Sequence, residues 1–127
     1  MNIYRENILD HYKNPRNRGP LPGADATVEE SNPVCGDKLK LMYKLDGDRV
    51  EQIKFEGEGC AISLAAASML TELARGKTLA ELEQIRDQDL LKEIGVPLSP
   101  TRVQCGLLAL AGLRKSLKQG ILARSEQ

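Results

Sequence analysis

This 127-residue sequence has few aromatic residues and no excess of positive or negative charge. It contains three Tyr, one Phe and no Trp, and its 18 basic residues are balanced by 18 acidic ones. A nucleic-acid-binding domain needs a basic surface that releases counterions, and a single-strand binder also needs aromatic side chains on which bases stack. The composition therefore argues against nucleic acid as a partner.

Long hydrophobic runs are also missing. The start, Met1–Glu6, has no apolar stretch typical of a secretion signal, and the apolar run Leu107–Leu113 is too short to cross a bilayer. We expect a cytoplasmic protein without a membrane partner. In a reducing cytoplasm, three cysteines are poor evidence for disulfides, and an odd count leaves one unpaired in any case.

The first half of the chain shows a helical pattern followed by strand patterns. With 41% hydrophobic residues, we expect residues 1–127 to form a single domain. A helix is predicted over residues 3–13, and three prolines and two glycines make 14–23 an extended connector. Apolar and polar residues then alternate, with a hairpin turn at Asp46–Asp48, which predicts a β-meander over 24–57.

The second half is predicted to be helical. Four helices are expected. The first spans Ala61–Arg75 with Gly76 as C-cap, and the second begins at a capping box formed by Thr78 and Glu81. The third covers residues 87–94, and the last runs from Ser99 to Gly120. Strands followed by helices predict an α+β fold. We expect a three-stranded antiparallel sheet packed on one side by helices, with an N-terminal helix and a long C-terminal helix.

Three widely spaced cysteines, each close to glycine, are the residues most suited to chemistry. Cys35 lies in Asn-Pro-Val-Cys-Gly-Asp, Cys60 in Gly-Glu-Gly-Cys-Ala and Cys105 in Arg-Val-Gln-Cys-Gly. With the carboxylate of Asp37, three thiolates form a plausible ligand set for zinc or an iron–sulfur centre. No Cys-x-x-Cys pair anchors a local site, however, so the spacing alone leaves open whether the cysteines meet or are buried separately.

The surrounding residues leave further alternatives open. Cys60 and Cys105 both lie near predicted helix N-termini, where the helix dipole favours a thiolate, and Arg102 precedes Cys105 by three residues. Asp37 would also fit a hairpin loop in which its side chain bonds to its own backbone. His11 is the only histidine and is interpreted as structural or solvated rather than as a ligand, which excludes a Ser/His/Asp set.

Four stretches of the sequence together resemble the IscU/SufU/NifU-type iron–sulfur cluster assembly scaffolds. They are Ile8–Gly19, Asn32–Asp37, Gly57–Ser63 and Arg102–Cys105. The resemblance covers nearly the whole chain in the same order. It implies the family's α+β fold and a 2Fe-2S cluster or Zn2+ held by Cys35, Asp37, Cys60 and Cys105. It also implies sulfur supplied by a cysteine desulfurase, with Cys105 as the persulfide acceptor.

Two departures from the family pattern concern the third cysteine. Gln104 stands where the IscU type has histidine and the SufU type usually has a basic residue, and the chain lacks the longer segment of the SufU type. Leu98–Arg102 replaces the chaperone-docking stretch of the IscU type. The sequence thus fits neither subtype cleanly and argues against recruitment of a dedicated chaperone.

The main functional hypothesis is a scaffold that builds iron–sulfur clusters and transfers them to apoproteins, acting more as a sulfur acceptor than as a catalyst. Cysteines on exposed loop tips and helix ends would suit transient binding. A single carboxylate among thiolates, Asp37, would make the cluster labile because oxygen matches iron–sulfide poorly. The alternative is a zinc-bound sulfurtransferase that relays persulfide sulfur. A closed structural zinc domain ranks last because paired local ligands are missing.

Overall fold

The computed structural model describes residues 3–33 and 36–125, and the side chains of residues 6–33 and 36–118. In chain order the elements are α1 (Ile3–Lys13), β1 (Ala26–Asn32), β2 (Asp37–Asp46), β3 (Arg49–Glu58), α2 (Ala61–Ala74), α3 (Leu79–Glu83), α4 (Asp87–Ile94), α5 (Pro100–Gly106) and α6 (Leu108–Ser125). The predicted α+β class is confirmed. Among the described residues, no helix combines the length and apolar character needed to cross a membrane.

The three strands form an antiparallel meander in the order β1-β2-β3, as the alternating pattern predicts. Leu41 lies at the centre of the sheet, opposite Val28 on one neighbouring strand and Phe55 on the other. All three side chains are buried in the main core, into which α2 and α6 also project buried residues. One face of the sheet is therefore covered by helices.

The connector between α1 and β1 covers part of the other face. The amide of Gly19 donates to the carbonyl of Phe55 on β3 at 2.9 Å, and the amide of Asp25 donates to the carbonyl of Tyr43 on β2 at 2.9 Å. Since helices fill the inner face, the chain between these two bonds must cross the outer face. This explains why Leu21 and Met42 are both buried outside the main core, although Met42 falls on the polar side of the predicted strand pattern.

The helix boundaries in the middle of the chain agree with the cap signals. Helix α2 begins after Cys60 and ends one residue earlier than predicted, with Gly76 following at a φ of 84°. The capping box of Thr78 and Glu81 is present, with bonds of 3.0 and 3.1 Å. Helix α4 ends at Gly95, which has a φ of 75° and so takes the left-handed conformation that glycine adopts without strain.

The prediction of one last helix from Ser99 to Gly120 is wrong. The chain forms α5 and α6, separated at Leu107, where φ and ψ are −100° and 2°. The break follows Gly106, where a Cβ atom would lie 3.1 Å from Cδ1 of Ile94, so the missing side chain allows α5 to pack closely on α4. Gly120 does not end α6, because a single glycine inside a helix costs only about 1 kcal/mol.

A buried polar cluster joins α1 to α2. His11 Nδ1 lies 2.8 Å from Ser68 Oγ, and His11 Nε2 lies 3.4 Å from a carboxylate oxygen of Glu72. The amide of Arg16 also donates to Ser68 Oγ at 2.8 Å. Ser68 Oγ therefore bridges the backbone of Arg16 and the imidazole of His11. His11 thus has a structural role, which was one of the two interpretations offered by the sequence, structural or solvated.

Burial lowers the pKa of His11 below its ordinary value of 6.5, and the nearby Arg16 guanidinium acts in the same direction. As the pH falls, the unfolded chain binds a proton at this position before the folded protein does. Stability should therefore decrease as the pH falls through about 6.5. We expect His11→Gln to reduce the difference in unfolding free energy between about pH 7.5 and about pH 5.5, measured by urea denaturation. An unchanged difference would contradict this interpretation.

Candidate metal centre

Three of the four predicted ligands lie at one end of the sheet. Asp37 is the first residue of β2, Cys60 immediately precedes α2, and Cys105 lies near the end of α5. One oxygen of Asp37 and the sulfurs of Cys60 and Cys105 all lie within 4.8 Å of one another. The structure thus brings these three residues together. Cys35 lies outside the described residues.

The Asp37 carboxylate is held in place by Cys60. Its Oδ1 accepts a hydrogen bond from the backbone amide of Cys60 at 3.1 Å, and its Oδ2 accepts one from the Cys60 thiol at 3.5 Å. The first bond also satisfies an amide at the start of α2, a position where helix dipoles favour a negative charge. The carboxylate therefore fixes the helix start and keeps Oδ2 beside the Cys60 sulfur. Asp37 therefore bonds beyond its own hairpin loop, to the start of α2.

Ser63 and Gly59 also lie beside Cys60, and neither was predicted to shape the metal centre by its packing. Ser63 lies on the first turn of α2, and its Oγ lies 3.0 Å from the carbonyl oxygen and 3.7 Å from the sulfur of Cys60. A Cβ atom on Gly59 would lie 2.4 Å from Ser63 Oγ and 3.0 Å from the Asp37 carboxylate. Only glycine leaves room for both groups. The available signal was a serine three residues after the residue that opens a helix, from where a hydroxyl can bond back to the carbonyl of that residue.

The donor set fits zinc or iron–sulfur chemistry. Two thiolates and one carboxylate are ligands that both kinds of centre accept. A tetrahedral metal with sulfur ligands at about 2.3 Å places its ligand atoms roughly 3.8 Å apart, so atoms gathered within 4.8 Å need only small shifts to share one ion. The three residues would leave a fourth position for a further ligand or for an incoming substrate.

Two expectations about the environment of the ligands are wrong. Only 1% of Cys105 and 3% of Asp37 are exposed, so these two residues do not lie on an exposed rim. Of the three candidate ligands that the structure describes, only Cys60 is partly accessible. Cys105 is also the sixth of the seven residues of α5, because the last helix is broken at Leu107. It therefore lacks the helix N-terminus that was expected to favour its thiolate.

Two residues close to Cys105 in the sequence differ from it in exposure. Arg102 and Gln104 are both exposed, whereas Cys105 is buried. By contrast, Cys60 does precede a helix, as its sequence context indicates.

Comparisons with known proteins place the chain in a family. The model of the NifU-like N terminal domain matches residues 3–122, and the chain belongs to this family. The zinc-dependent sulfurtransferase SufU of Bacillus subtilis (strain 168) is 40% identical over 132 positions, which cover 91% of this chain and 89% of the relative. The iron–sulfur cluster assembly scaffold protein IscU 1 of Archaeoglobus fulgidus is 37% identical over 115 positions, which cover 91% of this chain and 74% of that relative.

A solved structure has the same fold. It is the crystal structure assigned as an iron–sulfur cluster assembly scaffold protein for the SUF system of Fervidobacterium islandicum AW-1, with a TM-score of 0.77 and 30% sequence identity. The match covers 88% of this chain and 94% of that chain. The resemblance seen in the sequence motifs is thus confirmed for the family and for the fold.

The contacts around Gly59 lead to a prediction for Gly59→Ala. The added methyl group would displace Ser63 Oγ and Asp37, so we expect the unfolding free energy to fall by about 1–3 kcal/mol. Zinc affinity should fall by roughly 10-fold or more, since groups that orient metal ligands have effects of that size. Urea denaturation and competition with a zinc chelator measure the two quantities.

Gly112→Ala is the matched control for this substitution. A Cβ atom on Gly112 meets its nearest neighbour, Cβ of Glu30, at 3.5 Å, which is an ordinary contact. This variant should keep the wild-type zinc affinity. Equal zinc affinity in Gly59→Ala and wild type would show that the close packing around Gly59 does not support the metal centre.

Proposed function

We propose that this protein is a scaffold for the assembly of iron–sulfur clusters. It receives sulfur from a cysteine desulfurase and transfers the completed cluster to apoproteins. The observation that carries the proposal is the meeting of Asp37, Cys60 and Cys105 at one point in a chain of the NifU-like family. The relatives named IscU and the SUF-system structure support the same reading.

The proposed ligand set is Cys35, Asp37, Cys60 and Cys105, and the cluster they hold, a 2Fe-2S cluster in the first instance, is cargo. A cluster bound in part by oxygen is easier to release than one held by four thiolates, because carboxylate is the harder ligand. Asp37 has a second task, since its Oδ1 accepts the Cys60 amide. The residue that makes the cluster labile also orders the backbone of a neighbouring ligand.

A zinc-bound sulfurtransferase is the second candidate, and a specific comparison favours it. The relative with 40% identity is named a zinc-dependent sulfurtransferase.

The alignment lengths favour the scaffold type. The alignment with the sulfurtransferase needs 132 positions to cover 91% of this 127-residue chain, so that relative contains insertions that this chain lacks. The alignment with IscU 1 covers the same share in 115 positions. The chain thus has the compact length of the scaffold type, with a ligand set that also suits zinc.

Sulfur transfer to the scaffold is proposed to occur at Cys105. The Cys105 thiolate attacks the terminal sulfur of the desulfurase persulfide, the sulfur–sulfur bond breaks, and the desulfurase cysteine leaves as a thiolate. A persulfide on Cys105 results without net oxidation. The family resemblance supports this residue, whereas its burial requires the surrounding structure to open before sulfur can enter. Cys60 is the alternative acceptor because it is partly accessible and precedes a helix.

Anaerobic reconstitution tests the scaffold function and the role of Asp37 together. With ferrous iron, cysteine and a desulfurase, the wild-type protein should develop the visible charge-transfer bands of an iron–sulfur cluster. We expect Asp37→Ala and Asp37→Asn to hold the cluster longer and to transfer it more slowly to an acceptor apoprotein. The Asn variant keeps an oxygen that can accept the Cys60 amide, so it separates loss of the ligand from loss of the helix cap.

The alternative function predicts a different result in the same experiment. A zinc sulfurtransferase would be isolated colourless with about one zinc per chain, would form no stable chromophore, and would still pass sulfur onward. That outcome would replace the scaffold proposal. Transfer by Asp37→Asn at the wild-type rate or faster would contradict the role given to the carboxylate.

Sulfur loading of single Cys→Ser variants identifies the acceptor. Each variant is incubated with the desulfurase and cysteine, and sulfur adducts are counted by intact mass. Cys105→Ser should lose most of the adduct, whereas Cys35→Ser and Cys60→Ser should retain it. Full loading of Cys105→Ser together with loss in Cys60→Ser would assign the step to Cys60, as its accessibility suggests.

A further inference from the structure

We propose that Ser63 positions the Cys60 sulfur by donating its hydroxyl hydrogen to that sulfur when Cys60 is a metal ligand. The inference rests on the proposed function, because it takes Cys60 as a ligand of zinc or of the cluster. It adds a residue from outside the ligand set. Ser63 lies on the first turn of α2, one turn after Cys60, and its side chain is fully buried.

The position of the hydroxyl offers two acceptors on the same residue. Ser63 Oγ lies 3.0 Å from the Cys60 carbonyl oxygen, to which it donates, and 3.7 Å from the Cys60 sulfur. The carbonyl oxygen also accepts the amide of Leu64 at 3.2 Å. Withdrawing the Ser63 hydrogen from the carbonyl therefore leaves that oxygen with a partner, and rotation about one bond redirects the hydrogen to the sulfur.

Metal binding would change the Cys60 sulfur from a hydrogen-bond donor to an acceptor. As a thiol, Cys60 donates a hydrogen bond to Oδ2 of Asp37 at 3.5 Å. A metal-bound cysteine is a thiolate, which has no hydrogen to donate and accepts instead. Hydrogen bonds to an ionised acceptor are roughly twice as strong as those between neutral groups, so the Ser63 hydroxyl favours the sulfur over the carbonyl.

The packing around the hydroxyl keeps it at this position. A Cβ atom on Gly59 would come within 2.4 Å of Ser63 Oγ, so the space the hydroxyl fills exists only because residue 59 is glycine. Asp37 closes the same space from the β2 side. Held there, the hydroxyl withdraws electron density from one of the ligand sulfurs, and such bonds tune both metal affinity and the reduction potential of a cluster.

Cobalt(II) binding tests the inference with a spectroscopic readout. Cobalt suits the same donor set as zinc, and its thiolate charge-transfer bands report on the electron density of the sulfur. Removing the hydroxyl in Ser63→Ala should move these bands to longer wavelength and weaken cobalt binding by about 10-fold. Ser63→Thr, which keeps a hydroxyl, should restore both values toward wild type.

Ser68→Ala is the matched control, since Ser68 is also a buried serine of α2. Its hydroxyl lies 2.8 Å from His11 Nδ1 and 2.8 Å from the amide of Arg16, and so belongs to the α1 contact. This variant should unfold at lower urea concentration with an unchanged cobalt spectrum. If Ser63→Ala does not fold on its own, it is refolded with excess cobalt, which stabilises the folded form that binds it.

The outcomes separate this inference from the proposed function. Wild-type protein that binds no cobalt, or binds it equally well as Cys60→Ser, would overturn the metal function and the role of Ser63 with it. The role of Ser63 alone would be overturned by two results together. The wild-type protein would bind cobalt in a way that depends on Cys60, and Ser63→Ala would show the same cobalt spectrum and affinity as the wild type. A shift in Ser68→Ala equal to that in Ser63→Ala would also overturn it, because the effect would then be one of general destabilisation.

Discussion

The pairing of the Asp37 carboxylate with Cys60 is the interaction on which the site depends. It joins the first residue of β2 to the residue before α2, so one buried carboxylate links the sheet to the helix layer. A carboxylate that is almost wholly buried is tolerated only when hydrogen bonds replace its water, and both of its oxygens are bonded to Cys60. The position of one metal ligand is thereby tied to that of another.

The fold could be predicted well because local patterns carried it. Alternation along β2 and the turn at Asp46–Asp48 are enough to specify a hairpin, and the cap residues Thr78 and Glu81 mark a helix start. The break at Leu107 was missed because the apolar pattern continues across it without a proline. Gly106 packs closely on α4 just before the break, and contact between distant segments leaves no periodic signal in the sequence.

The candidate site was predictable only in part, for a related reason. Cysteine and aspartate are recognisable as ligands by their chemistry, so Asp37, Cys60 and Cys105 could be named before their distances were known. Ser63 could not be named in this way, since a serine near a helix start is ordinary. Its place in the site depends on the missing side chain of Gly59, which leaves room for both Ser63 and the Asp37 carboxylate. The burial of Cys105 was missed because exposure depends on how α5 packs in the fold.

The ligands come from three segments that are far apart in the sequence, and this ties metal binding to folding of the whole chain. An unfolded chain would have to close long loops to gather Asp37, Cys60 and Cys105, so it binds metal weakly. Metal at 100 times its dissociation constant would add about 2.7 kcal/mol to the stability of the folded form. Delivery of a cluster would remove that contribution, so the emptied protein would unfold more often than the loaded one and be more open to proteolysis.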